Sequence, residues 1–161
     1  MQFRAAEPAD VAALASLLLR ASPGRALEAE CEYVRAYFER PETVIRIAVQ
    51  DAEPVGVVSF EPSLVRGDEG ADERTAYLRL IATDPSLWGT GLAGQLLEWA
   101  QTRMAAVGFA HAYLWCAESN SRARRFYERA GWTADGRRRE HEDWGPMLAY
   151  AKQVSGAQVQ V

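Results

Sequence analysis

Three glycines, Gly89, Gly91 and Gly94, follow the apolar run 76–83 and open the helical pattern 92–107. Their spacing lets backbone N–H groups turn toward one point. The N-terminus of a helix carries unpaired N–H donors and the positive end of a dipole, so it attracts phosphate. Glycine removes the Cβ atoms that would hold a phosphate away from the backbone. The stretch reads as a strand–loop–helix pocket for a pyrophosphate, with a merely tight connection as the plain alternative. No Gly-Lys-Ser/Thr comes after the loop, so it is not a P-loop. The dinucleotide fingerprint is unmet as well, since Trp88 precedes the loop and no acidic residue ends a second strand at the required distance; Glu118 comes nearest. That disfavours a nucleotide-binding oxidoreductase.

A second stretch, 114–132, combines a strand, Asn120, Ala123, the run Phe126-Tyr127-Glu128, and Gly131 followed by Trp132. Together the two stretches resemble the signatures of the GNAT superfamily, the acyl-CoA-dependent N-acyltransferases. The loop Trp88-Gly89-Thr90-Gly91-Leu92-Ala93 is similar to the first signature, Q/R-x-x-G-x-G/A, with Trp88 where Gln or Arg is usual. The opening 3–10 also resembles the family's first strand and helix entry.

The resemblance implies an N-acetyltransferase of the EC 2.3.1 class, moving acetyl from acetyl-CoA to a primary amine by direct attack in a ternary complex. It implies a pyrophosphate clamp at Trp88, Gly89, Thr90, Gly91, Leu92, Ala93 and Gly94. The backbone of Ile81, Ala82 and Thr83 would pair with the pantetheine arm as an extra strand. Asn120 would lie near the pantetheine and Tyr127 near the sulfur. Many relatives have a Glu on the central strand where Tyr77 stands here. A catalytically silent acyl-CoA-binding or regulatory domain is the competing reading, supported by the changes at Tyr77 and Trp88.

Direct transfer from a thioester needs a clamp, a neutral amine, an oxyanion donor and a proton for the leaving thiolate. Tyr127 is the expected general acid, because a phenol with an ordinary pKa of about 10 is protonated at neutral pH. Periodicity alone puts Tyr127 on an apolar face with Ala123 and Phe126; the spacing from Asn120 favours the catalytic role. For the base, Glu118 is a candidate beside the reading of an exposed strand-end carboxylate. His111 is expected on the far edge of the sheet and His141 in a solvated loop. No Ser-His-Asp or Cys-His order suggests an acyl-enzyme. Arg122 and Arg125 suit CoA phosphates, or plain surface charge.

The elements that must position these groups read in order. Strand 2–4 leads to a helix with Val11, Leu14 and Leu18 on its buried stripe, ended by Ser22-Pro23-Gly24. A second helix spans 28–40, with Cys31, Val34 and Phe38 on one side. Strands 43–50 and 55–60 form a hairpin turned at 51–54. Residues 61–75 form a loop with acids Asp68, Glu69, Asp72 and Glu73, either solvated or a lid suited to a cationic acceptor. Strand 76–83 precedes the glycine loop, whose helix buries Ala93, Leu97, Ala100, Met104 and Val107. Strand 111–117 should run parallel to it. Ser119 or Asn120 caps a helix that reaches Ala130 and buries Ala123, Phe126, Tyr127 and Ala130. Strands 132–138 and 146–152 form a second hairpin.

The expected fold is α/β, a GNAT-like mixed, twisted sheet of about six to seven strands with helices on both faces. In the resembling family the central parallel strands splay around the acyl-CoA. Residues 1–152 form one expected domain and 153–161 a tail. The chain has 161 residues and a formal net charge of −4, which argues against a general nucleic-acid binder. No apolar run approaches a membrane span, and no secretory signal is legible. Cys31 and Cys116 read as reduced, half-buried thiols of a cytoplasmic protein without a metal. The acceptor amine belongs to a small molecule, protein or peptide, and the resemblance allows a homodimer.

Overall fold

A computed structural model describes residues 1–24 and 26–155. Seven strands lie in the order β1-β2-β3-β4-β5-β7-β6 in one mixed sheet. The chain clusters into two compact units, Met1–Glu61 with Leu80–Ala100, and Pro62–Arg79 with Gln101–Val161.

In the first unit, β1 (Gln2–Ala5), β2 (Val44–Gln50) and β3 (Glu53–Pro62) are antiparallel neighbours. The β2–β3 hairpin closes on Asp51 and Ala52, both with positive φ, 53° and 66°. Two left-handed residues match the twist of the flanking strands. The turn is therefore shorter than 51–54; Pro54 is already in β3, opposite Val49 beside a register shift in the ladder, where a missing N–H is tolerated.

Helix α1 (Val11–Ala21) buries Val11, Leu14, Leu17 and Leu18, and α2 (Leu27–Phe38) buries Val34 and Tyr37. These pack on Ile45, Ile47, Val49 and Val57, which alternate onto one face of β2 and β3. Full burial of each Leu or Ile here stabilises by roughly 1.5–3 kcal/mol. Cys31 and Phe38 only rim this core, because the stripe of α2 is centred on Val34 and Tyr37. The opposite face meets α4 (Leu92–Ala106). A Cβ on Gly56 would sit 2.9 Å from Leu96 Cδ1 and 3.2 Å from Leu92 Cδ2. The Arg46 guanidinium stacks 4.7 Å from the Trp99 ring centroid on that face. Helices thus cover both faces of this unit's strands.

The buried residues of α4 include Leu92, Leu96, Leu97, Ala100 and Met104. Ala93 is only half-buried, and Val107 lies past the helix end, 49% exposed. The stripe starts at Leu92 because Gly56 leaves it room, a long-range fact that periodicity counted from Ala93 misses.

In the second unit, β5 (His111–Ala117) pairs antiparallel with β7 (Gly145–Gln153), which pairs with β6 (Thr133–His141). His111 therefore begins an interior strand rather than lying at the sheet edge. The expected 61–75 loop contains a short helix, α3 (Ser63–Arg66). Helix α5 (Ser121–Arg129) packs on the side of the sheet that carries Tyr150, and its one buried residue is Tyr127. Ala123, Phe126 and Ala130 are half-buried, since a nine-residue helix rich in Arg lays only a narrow stripe on the sheet. Cys116 is buried and Cys31 half-buried, both as free thiols.

Of the expected tail, Gln153 closes β7, the Val154 N–H donates to Ala110 O at 2.8 Å, and the Ser155 hydroxyl donates to Phe109 O at 2.7 Å. Residues 156–161 lie outside the described residues.

Candidate active site

Strand β4 (Thr75–Thr83) delivers the chain to the glycine turn. Asp84 fixes the start of that turn. Its Oδ1 accepts from the Ser86 N–H at 3.0 Å and the Ser86 hydroxyl at 2.8 Å, and its Oδ2 accepts from Arg20 Nε at 2.8 Å. The Ser86 bonds, with Arg20, hold the Asp84 carboxyl below its ordinary range. Its N–H donates to Val55 O at 2.8 Å, anchoring the turn to β3.

Gly89 and Gly91 take φ of 85° and 89°, where a Cβ is unfavourable. Both face open space, with nothing within 4 Å of an added Cβ. Gly94 is already helical and equally open. The first N–H groups of a helix lack intrahelical acceptors, so the start of α4 offers donors beside this cleared backbone. The Leu92 side chain is buried against β3, leaving its backbone as the available group, and the Thr90 hydroxyl donates to Leu87 O at 2.6 Å. Trp88 folds its indole back so that Nε1 donates to Thr83 O at 3.2 Å, while the residue stays 43% exposed. Ala82 packs on the α1–α2 core, Thr83 is buried, and Ile81 is half-buried.

In the second unit, β4 and β5 pair in parallel only from Thr75–His111 to Tyr77–Tyr113. Leu78 and Arg79 continue β4, and Leu114 and Trp115 continue β5, beyond the last rung of that ladder. Tyr77, in the place where the family resemblance expects Glu, is buried and packed. Its ring lies 4.9 Å from that of Tyr113 and 4.3 Å from the Arg66 guanidinium.

Tyr127 is buried among Phe126, Trp132 and Tyr150, at ring-centroid distances of 5.3, 6.1 and 6.3 Å. Its hydroxyl makes no hydrogen bond among the described residues. Burial pushes its pKa well above the ordinary phenol value, so the proton stays on at neutral pH. Burial likewise pushes the Cys116 thiol up to about 11. The Asn120 side chain caps α5, its Oδ1 accepting from the Ala123 N–H at 3.1 Å. That bond occupies the oxygen and leaves the amide donors available.

Glu118 pairs bidentately with Arg138 at 3.0 and 3.1 Å, which lowers its pKa and commits it to an exposed ion pair. His141 stacks on Trp144 with ring centroids 4.4 Å apart, and its Nδ1 accepts from the Asp143 N–H at 3.0 Å. It thus ends β6, half-buried, rather than lying in a solvated loop. Arg122 and Arg125 are exposed on α5.

The acidic loop is not uniformly solvated either. Asp68 Oδ2 accepts from the Tyr113 hydroxyl at 2.6 Å and from Trp115 Nε1 at 3.1 Å, and Asp68 pairs with Arg66 and Arg139. Asp72 accepts from the Arg74 N–H and the Thr75 hydroxyl. Two of the four acids therefore have intramolecular partners, Asp68 half-buried and Asp72 at the surface. Nothing in the sequence marks Asp68, because Tyr113 and Trp115 lie more than forty residues away. A cavity of about 600 Å³ at the N-terminal ends of β4 and β5 is lined by residues including Glu69, His111, Arg137 and Gln153, and by none of the expected site residues. Among the described residues no group of three or more His, Cys, Asp or Glu is placed to hold a metal ion, and no helix is long and apolar enough to cross a membrane.

The model of the acetyltransferase (GNAT) family matches residues 11–132. Mycothiol acetyltransferase from Brachybacterium faecium is 33% identical over 91 residues, 56% of this chain and 26% of that protein. The match thus spans about a quarter of that relative. Among solved structures, the ribosomal-protein-S18-alanine N-acetyltransferase of Escherichia coli superposes with a TM-score of 0.77 at 20% identity, covering 99% of this chain and 97% of that one. An aminoglycoside 6′-N-acetyltransferase complexed with coenzyme A has a TM-score of 0.78 at 17% identity, covering 97% and 98%.

Proposed function

Since the chain belongs to the acetyltransferase (GNAT) family, we propose that it moves an acetyl group from acetyl-CoA to a primary amine by direct attack in a ternary complex. The observation that carries this reading is Tyr127, its ring buried among aromatic side chains and its hydroxyl protonated and without a hydrogen bond among the described residues. A phenol held by its ring, with no hydrogen bond on its oxygen, is free to donate to a ligand.

In the proposed reaction the amine nitrogen attacks the thioester carbon. The C–O π electrons move to oxygen, the intermediate collapses, and the C–S bond breaks. Tyr127 gives its proton to the departing thiolate, and the proton lost by the amine returns to the phenolate through water. The backbone of Gly89 to Gly94 would hold the pyrophosphate and that of Ile81 to Thr83 the pantetheine arm. Asn120 would offer its amide N–H groups to the same arm. No carboxylate stands in for the usual Glu, since that place holds packed Tyr77, so water is the proposed route for the amine's proton. The setting proposed is cytoplasmic, where both free thiols stay reduced.

A second reading, a silent acyl-CoA-binding domain, draws on the same Tyr77. Thiol release from acetyl-CoA, followed against a polyamine, an aminoglycoside, a Lys peptide and an N-terminal Ala peptide, separates the two. Amine-dependent release supports transfer; tight CoA binding without release from any amine supports the silent domain.

A further inference from the structure

We propose that Tyr150 is a positioning residue that fixes the pitch of α5 and thereby aims the Tyr127 hydroxyl; the inference rests on the acetyl-transfer reading above. Tyr150 lies on β7 opposite Leu114 of β5 and is fully buried. Its hydroxyl donates to Glu128 Oε2 at 2.8 Å and accepts from Arg124 Nε at 3.1 Å. Arg124 and Glu128 stand one helical turn apart on α5, and Tyr127 lies between them in the chain.

Two bonds from the ends of one turn to a single oxygen of the sheet constrain both the roll and the slide of the helix. One bond would act as a pivot. Arg124 adds a third tie, donating from Nη1 to Glu118 O at 3.2 Å just past the end of β5. Tyr127 has no such tie of its own. Among the described residues its hydroxyl makes no hydrogen bond, so its direction follows from where α5 carries its Cα–Cβ bond and from the rings packed around it.

Without the Tyr150 hydroxyl, Arg124 and Glu128 lose their common anchor. Opposite in charge at i and i+4, they close on each other instead. The ring of a Phe at this position would keep the packing, so the change loosens aim rather than fold. A misplacement of about 1 Å in a reacting group costs up to about 10²-fold in rate.

The experiment compares Tyr150→Phe with wild type and Tyr127→Phe, using acetyl donors of two thiol acidities. Tyr150→Phe should lower kcat by about 5- to 50-fold with the KM for acetyl-CoA nearly unchanged. The deficit should shrink with the more acidic thiol, and Tyr127→Phe/Tyr150→Phe should be no slower than Tyr127→Phe alone. A merely structural Tyr150 would lower the Tm, leave the leaving-group dependence as in wild type, and slow the double variant additively; that result overturns the proposal. Should Tyr150→Phe fail to fold, Arg124→Met removes one of the two helix-side bonds, together with the Glu118 tie, and is judged by the same readouts. If wild type transfers no acetyl group, or Tyr127→Phe keeps full turnover, the parent reading falls and this inference with it. Additivity in the double variant, with Tyr127→Phe impaired, overturns this inference alone.

Discussion

The rings of Tyr77 and Tyr113 lie 4.9 Å apart across the last rung of the parallel ladder between β4 and β5. An extended ligand that pairs as an additional strand needs a free strand edge. The ladder stops supplying partners after this rung, and the glycine turn comes at the end of the same β4. Two aromatic rings thus close the paired part of β4 and β5. Arg66 stacks on Tyr77 and Arg137 on Tyr113, at 4.3 and 4.7 Å, which braces the rung from the face that carries Asp68.

Changing Gly91 to Glu tests the phosphate clamp. The substitution sets a carboxylate beside the helix start, where like-charge repulsion opposes a pyrophosphate. The left-handed φ of 89° adds backbone strain of about 1 kcal/mol, so Gly91→Ala serves as the reference for strain alone. Calorimetry should find CoA binding abolished in folded Gly91→Glu and only weakened in Gly91→Ala. Unchanged CoA affinity in folded Gly91→Glu would move the phosphate site elsewhere.

Asn120 carries two separable roles. Asn120→Ala removes the α5 cap and should cost about 0.5–2 kcal/mol in denaturant unfolding. Asn120→Asp keeps the capping oxygen and deletes the amide donors. It should restore stability while weakening CoA binding, if those donors meet the pantetheine. Equal CoA affinity in wild type and Asn120→Asp would reduce Asn120 to a cap.

Asp68 sets a pH-dependent contribution to stability. Burial alone would raise its pKa, but hydrogen bonds from Tyr113, Trp115 and Arg66 outweigh it, and the carboxyl sits below its ordinary value. A depressed folded pKa gives stability that is present above the unfolded value of about 3.9 and is lost as pH falls through the folded value. Asp68→Asn should therefore destabilise by about 1–3 kcal/mol near pH 7. The gap to wild type should narrow below about pH 4. A gap constant from pH 7 to pH 3 would mean that the charge of Asp68 adds nothing.

Much of the fold, and of the local structure around the candidate site, was legible in the chain. The glycine spacing, the strand before it and the run from Asn120 to Tyr127 are local patterns, and the secondary structure around them forms where periodicity and capping put it. Burial was less legible wherever a distant residue decides it. Leu92 is buried because Gly56 on β3 lacks a side chain, and Val107 is exposed because α4 ends before it. Acids in a Gly-rich loop look solvated until the fold brings Tyr113 and Trp115 to Asp68. Tyr150 lies in the expected strand 146–152 with no local pattern to single it out. Its bonds to Arg124 and Glu128 come from β7 inserting beside β5, an order of strands that alternation does not encode.

Turnover of Tyr127→Phe, measured where chemistry limits the rate, tests the proposed proton donor most directly. The substitution deletes one hydroxyl that has no partner among the described residues and keeps the ring among Phe126, Trp132 and Tyr150, so packing should hold. A general acid at this position predicts a fall of about 10²- to 10⁴-fold in kcat with acetyl-CoA affinity nearly unchanged, and a smaller fall with a donor whose thiol leaves more easily. Full turnover in the folded variant, with the same dependence on the leaving thiol as wild type, would contradict that role and leave Tyr127 a packing residue.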